Sequence, residues 1–153
     1  MTSSLTFTVY GKPEGWHRAR VSSRGAKPRL FNDPKTEAAE NRVCAAAQAA
    51  WEPRWPPRYP GAVRVSVYCY FARPERLKRK KDRGTTDQPY TGKPDADNIV
   101  KAVLDGITRS GRWKDDTQVS DLTVRRRYLD LDNEGNEIDV PRMVVTVTAL
   151  DSA

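Results

Sequence analysis

Lys93-Pro94-Asp95-Ala96-Asp97-Asn98-Ile99-Val100-Lys101, followed after a short interval by Trp113-Lys114-Asp115-Asp116, is the stretch on which the reading of this chain turns. Beyond Pro94 the pattern is helical. Ile99, Val103 and Ile107 fall on one stripe with Val100 and Leu104 beside it, while Asp97, Lys101 and Asp105 occupy a second stripe, and Gly111 ends the unit. Upstream, Ala62, Arg64 and Ser66 alternate with Val63, Val65 and Val67, and Tyr68 to Phe71 extend the apolar run. This predicts a well-buried, central strand. Downstream, Val119, Leu122 and Val124 predict another strand running through Tyr128 and Leu129, Asp132 to Asn136 a turn, and Met143 to Leu150 a last strand. The final pair is expected to form an antiparallel hairpin.

Further out, Leu5, Phe7 and Val9 alternate with Thr6, Thr8 and Tyr10 as a first strand, which Gly11, Pro13 and Gly15 break. From Trp16 to Leu30 the chain is a basic loop or hairpin carrying His17, Arg18, Arg20, Arg24, Lys27 and Arg29. Asp33 is placed to cap a helix from Pro34 to Trp51, with Pro34 at the first helical position. Val43, Ala46, Ala47 and Ala50 recur at helical spacing, so one face packs on a sheet. Pro53, Pro56, Pro57 and Pro60 stop it. Residues 73–93 hold Arg76, Lys78, Arg79, Lys80, Lys81 and Arg83 packed together, with Gly84 and Pro89 as breakers, and are expected to be a mobile loop. The elements make the fold class α/β (α+β), and 153 residues suit one domain spanning 1–153.

Composition narrows the chemistry. Lys plus Arg outnumber Asp plus Glu by 27 to 20, a net +7, which favours a polyanionic partner such as nucleic acid. His17 is the sole histidine, and Cys44 and Cys69 are the two cysteines, so zinc hydrolases and His-activated triads are excluded, as is a disulfide framework. No secretory pattern opens the chain and no window approaches a membrane span. A soluble, cytoplasmic protein without a membrane partner is expected.

Asp95 and Asp97 stand two residues apart at a helix entry; if the chain there is extended, they point to similar sides and can share one cation. Mg²⁺ takes oxygen ligands and keeps several waters, so two or three carboxylates with a substrate phosphate suffice, and Asp115-Asp116 can supply the third. Such an ion activates water and relieves charge on a phosphodiester. Lys101 lies one turn beyond Asp97, where it can meet the reacting phosphate or simply bridge its acidic neighbours. The plainer alternatives are that Asp95 caps the helix and that Asp115-Asp116 forms a turn.

Lys93-Pro94-Asp95-x-Asp97-Asn98, then Lys101, Asp105 and Trp113-x-Asp115-Asp116-x-Gln118-Val119, resemble the RusA-like Holliday-junction resolvases. Weaker agreement extends to Arg18-Ala19-Arg20 and to the helix entry Asp33-Pro34-Lys35-Thr36. The resemblance implies a homodimer with a small mixed β-sheet of about five strands and two main helices. It also implies an endonuclease that cuts four-way DNA junctions by paired incisions with Mg²⁺ or Mn²⁺. By motif position it makes Asp95, Asp97 and Asp116 the metal ligands, Lys101 the catalytic lysine and Asp115 a supporting acid. A longer and more basic 73–93 loop, and Arg112 before Trp113, depart from compact members.

An acidic site repels phosphates until metal binds, so basic rims give DNA a reason to approach. Arg18, Arg20 and Arg24 form one rim; Arg76, Lys78, Arg79, Lys80, Lys81 and Lys93 form the other, against the plainer reading of a solvated loop. Trp113 is expected to anchor the acidic loop, Trp16, Trp51 and Trp55 to pack, and His17 to be a surface residue without a role. Rival readings are a branched-DNA-binding protein that has lost turnover and an enzyme acting on small phosphoesters.

Overall fold

The computed structural model describes residues 3–25, 27–31 and 33–150, with nothing said of the side chain at Arg20. Among them are six strands and two main helices: β1 (Ser4–Tyr10), β2 (Arg20–Ser22), β3 (Arg29–Phe31), α1 (Pro34–Ala50), β4 (Val63–Phe71), α2 (Ala96–Arg109), β5 (Val119–Tyr128) and β6 (Arg142–Ala149). Four strands form a mixed sheet in the order β1-β6-β4-β5, and β2 and β3 form a separate hairpin. The small mixed sheet with two helices is thus present, and Trp16 to Leu30 does contain a hairpin.

Alternation decides which face the helices cover. Val63, Val65, Val67 and Cys69 of β4 and Val145 and Val147 of β6 are fully buried, and they join Val43 and Ala47 of α1 and Ile99, Val103 and Ile107 of α2 in one core. Each such side chain contributes roughly 1.5–3 kcal/mol on leaving water. The opposite face carries Arg64, Ser66, Tyr68 and Tyr70, which are half-buried or exposed. The helices meet closely at Gly106, where a Cβ would stand 2.6 Å from Val43 Cβ and 2.9 Å from the Glu40 carbonyl oxygen. Asp33 caps α1 as its position predicted, its carboxylate accepting from the Lys35 amide at 2.8 Å.

One expectation fails. β5 and β6 are not a hairpin: β5 pairs in parallel with β4, while β6 lies between β1 and β4, antiparallel to both. The reason is burial, because β6 buries every second residue and earns an interior place, whereas of β5 only Tyr128 is buried. Rich in polar and arginine side chains, β5 takes the edge. Parallel β4 and β5 need a long crossover, and α2 lies within it. The 73–93 segment lies between β4 and α2. It contains short 3-10 turns at Glu75–Leu77 and Lys80–Asp82 and closes on Arg73, which is buried and donates to the carbonyls of Leu129, Leu77 and Thr85 and to the Thr85 hydroxyl.

Candidate active site

The charged stripe of α2 follows from its apolar one. With Ile99, Val103 and Ile107 turned into the core, Asp97, Lys101 and Asp105 face outward along the helix. Lys101 and Asp105 form an ion pair of 3.6 Å, as i,i+4 spacing permits. Gly111, at φ +77°, ends the helix and turns the chain into the acidic loop.

Trp113 then anchors that loop. It is 1% exposed and its indole N–H donates to the Thr108 hydroxyl at 2.7 Å. Gln118 finishes the work: its amide oxygen accepts from the Lys114 and Asp115 amides, and its NH₂ donates to the carbonyls of Tyr59 and Gly61, both at 2.9 Å. Asp115 and Asp116 are thereby held at the start of β5, Asp115 accepting from the Thr117 amide.

Asp97, Lys101 and Asp116 come together on one open cleft of about 450 Å³, whose floor is Val100, Leu104, Leu122 and Val124. The carboxyls of Asp115 and Asp116 are close enough to share a proton as a hydrogen bond. That bond holds Asp115 below the usual carboxylate range, with help from the Thr117 amide, and pushes Asp116 above it, with burial and the Asp115 charge adding to the rise. Asp95 is not in this cleft. Its backbone sits at the N-cap of α2, its side chain makes no capping bond, and its carboxylate pairs with Lys93 at 2.9 Å. Asp95 stands just ahead of α2 and Asp97 in its first turn, and the plain capping alternative for the Asp95 side chain does not hold.

Among the described residues, no three His, Cys, Asp or Glu side chains form a ready-made metal cluster. The donor set nonetheless fits a hard cation that keeps its waters and binds through one or two carboxylates plus a phosphate. Asp97 and Asp116 supply two carboxylates on one cleft, and the Asp115–Asp116 pair is a like-charge contact that a cation relieves.

Sequence reading placed Trp16 among the packing residues, yet its ring lies 5.3 Å from the Lys101 ammonium. The Trp16 amide donates to the Asn98 carbonyl at 2.9 Å, tying the chain after β1 onto the first turn of α2. Gly15 makes this approach possible, since a Cβ there would lie 2.9 Å from Pro94 Cβ. An aromatic beside a glycine, ahead of a basic run, was the available signal. His17 is not a free surface group: it is half-buried, its backbone brackets the Thr36 hydroxyl, and its Nε2 is buried without a partner.

None of the described basic side chains expected in the two rims lines the Asp97 cleft itself. Arg18 and Arg24 are exposed on and beside the β2–β3 hairpin, and the Arg20 side chain lies outside the described residues. Lys78 is paired with Glu137 at 2.7 Å, and that hydrogen bond raises its pKa; Arg79 pairs with Asp82 at 3.5 Å. Arg76, Lys80 and Lys81 are exposed, and none of the residues from Arg76 to Lys81 lines the Asp97 cleft. No helix among the described residues is long and apolar enough to cross a membrane.

A four-stranded sheet of mixed sense, a crossover helix and an open cleft carrying two carboxylates and a lysine define a small α/β domain with an acidic surface site. Residues 10–148 match the family model described as Endodeoxyribonuclease RusA, and the chain belongs to the RusA family. It is also 34% identical over 129 residues to the uncharacterized protein YqaN of Bacillus subtilis (strain 168), covering 81% of this chain and 87% of that protein.

Proposed function

We propose that the protein is a Mg²⁺-dependent, structure-selective endodeoxyribonuclease that resolves Holliday junctions in DNA recombination and repair, with Mn²⁺ able to replace Mg²⁺. The observation that carries this is the meeting of Asp97, Lys101 and Asp116 on one open cleft beside the first turn of α2. An open cleft admits a duplex arm, whereas a small-phosphoester enzyme encloses its substrate.

In this reading Asp97 and Asp116 hold the ion, and Asp95 joins them by exchanging its partner Lys93. The ion supplies an activated water and neutralises charge on the phosphate oxygens. Lys101 directs its ammonium to a non-bridging phosphate oxygen, and Asp105 and Trp16 restrict where that ammonium can go. Asp115 and Gln118 keep Asp116 in place. Arg18, Arg20, Arg24 and Lys93 bind backbone phosphates nearest the cleft, and Arg76 and Lys78 to Lys81 bind an outlying arm. Two copies related by a two-fold axis make the paired incisions symmetric.

The test is a synthetic four-way junction. Wild type nicks it in Mg²⁺ and not in excess chelator, and Asp97→Asn binds it without nicking. Failure of the wild type to bind or cut any branched DNA overturns the reading.

A further inference from the structure

A second cleft, of about 340 Å³, lies on the neighbouring face of the same helix start. Its walls include Lys12, Lys35 and Lys93 with Glu14 as the single lining carboxylate; Lys93 is paired with Asp95, so Lys12 and Lys35 supply the excess positive charge. Lys12 and Lys35 are exposed and belong to no ion pair among the described residues. Surface lysines usually scatter into solvent; here three from separate segments line one concavity. Such an excess of one sign in a hollow concentrates field and recruits an anion.

The hollow is also built firmly. Trp16 is tied to Asn98, and His17 is tied through its backbone to Thr36 of α1, so two cleft residues are fixed to the starts of both helices. His17 adds a ring whose Nε2 has no partner among the described residues. The two clefts share the first turn of α2: Pro94 and Asn98 face the basic one, Asp97 and Lys101 the acidic one. Trp16 stands between them, lining the basic cleft with its ring close to Lys101.

We propose that the cleft of Lys12, Lys35 and Lys93 is a phosphate subsite that holds a backbone phosphodiester of DNA beside the one that is cut. It rests on the nuclease reading for the identity of the ligand as DNA, but not for its phosphate chemistry. The acidic cleft repels a DNA strand, and this basic one, a helix face away, retains it while the scissile phosphate settles against Asp97 and Lys101. Lys12 and Lys35 are thus binding residues outside the acidic motif.

Because His17 is the only histidine, its ring gives a single, unambiguous set of NMR signals. In wild type, inorganic phosphate and the oligonucleotide d(TTT) both shift those signals saturably, the oligonucleotide at lower concentration. In Lys12→Ala/Lys35→Ala, whose exposed side chains leave the core intact, neither ligand shifts them. The variant also binds junction DNA at least tenfold more weakly, with the slope of log affinity against log salt reduced by about two. Signals that stay still in wild type, or move equally in the variant, overturn the subsite whether or not the protein cuts DNA. A response to inorganic phosphate alone overturns the assignment to a DNA strand. Conversely, a normal His17 response in a protein that never cuts a junction removes the nuclease reading and keeps the anion site.

Discussion

Gly106→Ala tests whether the crossing of α1 and α2 positions the catalytic stripe. The added Cβ would stand 2.6 Å from Val43 Cβ, 2.7 Å from Val43 Cγ1 and 2.9 Å from the Glu40 carbonyl oxygen. Carbon atoms in contact prefer about 3.5–4.0 Å, so the helices must part by about 1 Å. The backbone carbonyl cannot rotate aside as a side chain can. Overpacking of this kind costs about 1–3 kcal/mol, and alanine returns about 1 kcal/mol of helix propensity over glycine. With backbone in the way the upper figure applies, leaving a net loss of about 2 kcal/mol. Urea denaturation followed by tryptophan fluorescence reads that loss. The same movement carries Asp97 and Lys101 away from Asp116, so junction cleavage falls by up to about 10²-fold while DNA binding is kept. A variant as stable as wild type and equally active refutes the reasoning.

Other expectations can be checked more simply. Cys69 is fully buried and burial pushes its thiol up to about 12, so a disulfide reagent reaches Cys44 in the native protein and Cys69 only on unfolding; equal native rates would contradict this. Glu40 is buried beside Arg109 at 2.8 Å, and desolvation raises its pKa more than Arg109 lowers it. The folded state therefore binds more protons than the unfolded one between the ordinary glutamate value and the raised one. Its contribution is fullest below that window, and stability falls as pH rises through it. Glu40→Gln should flatten this fall in denaturation curves taken at a series of pH values; parallel curves would count against the burial account. Gln118→Ala removes bonds that hold the acidic loop, and should lower cleavage rate by tenfold or more with a stability loss of about 1 kcal/mol; an unchanged rate would free Gln118 of that role.

Strands and helices were legible because burial imposes their period. β4, β6 and α2 show it most clearly, with Val63 to Phe71 alternating and Ile99, Val103 and Ile107 in register. Pairing was not legible for β5 and β6, since adjacency in sequence suggests a hairpin and only the contrast in apolar content puts β5 at the edge. Within the site, Asp97 and Lys101 follow from helical spacing, and Asp116 from its place after Trp113. The pairing of Asp95 with Lys93 depends on where the helix begins, a matter of one residue. Trp16 beside Lys101 joins segments far apart in sequence through Gly15 and the Asn98 carbonyl, and the aromatic next to a glycine ahead of a basic run is the one local signal of it.

The claim at the centre is that Asp97 and Asp116 act as one unit in cutting DNA. Single-turnover cleavage of a four-way junction in saturating Mg²⁺, measured for Asp97→Asn, Asp116→Asn and the double variant, tests it most directly. Each single variant should lose on the order of 10³-fold in rate, and the double variant little more, because residues that serve one ion fail together. Near wild-type cutting by either single variant, or losses that multiply in the double, would contradict the account.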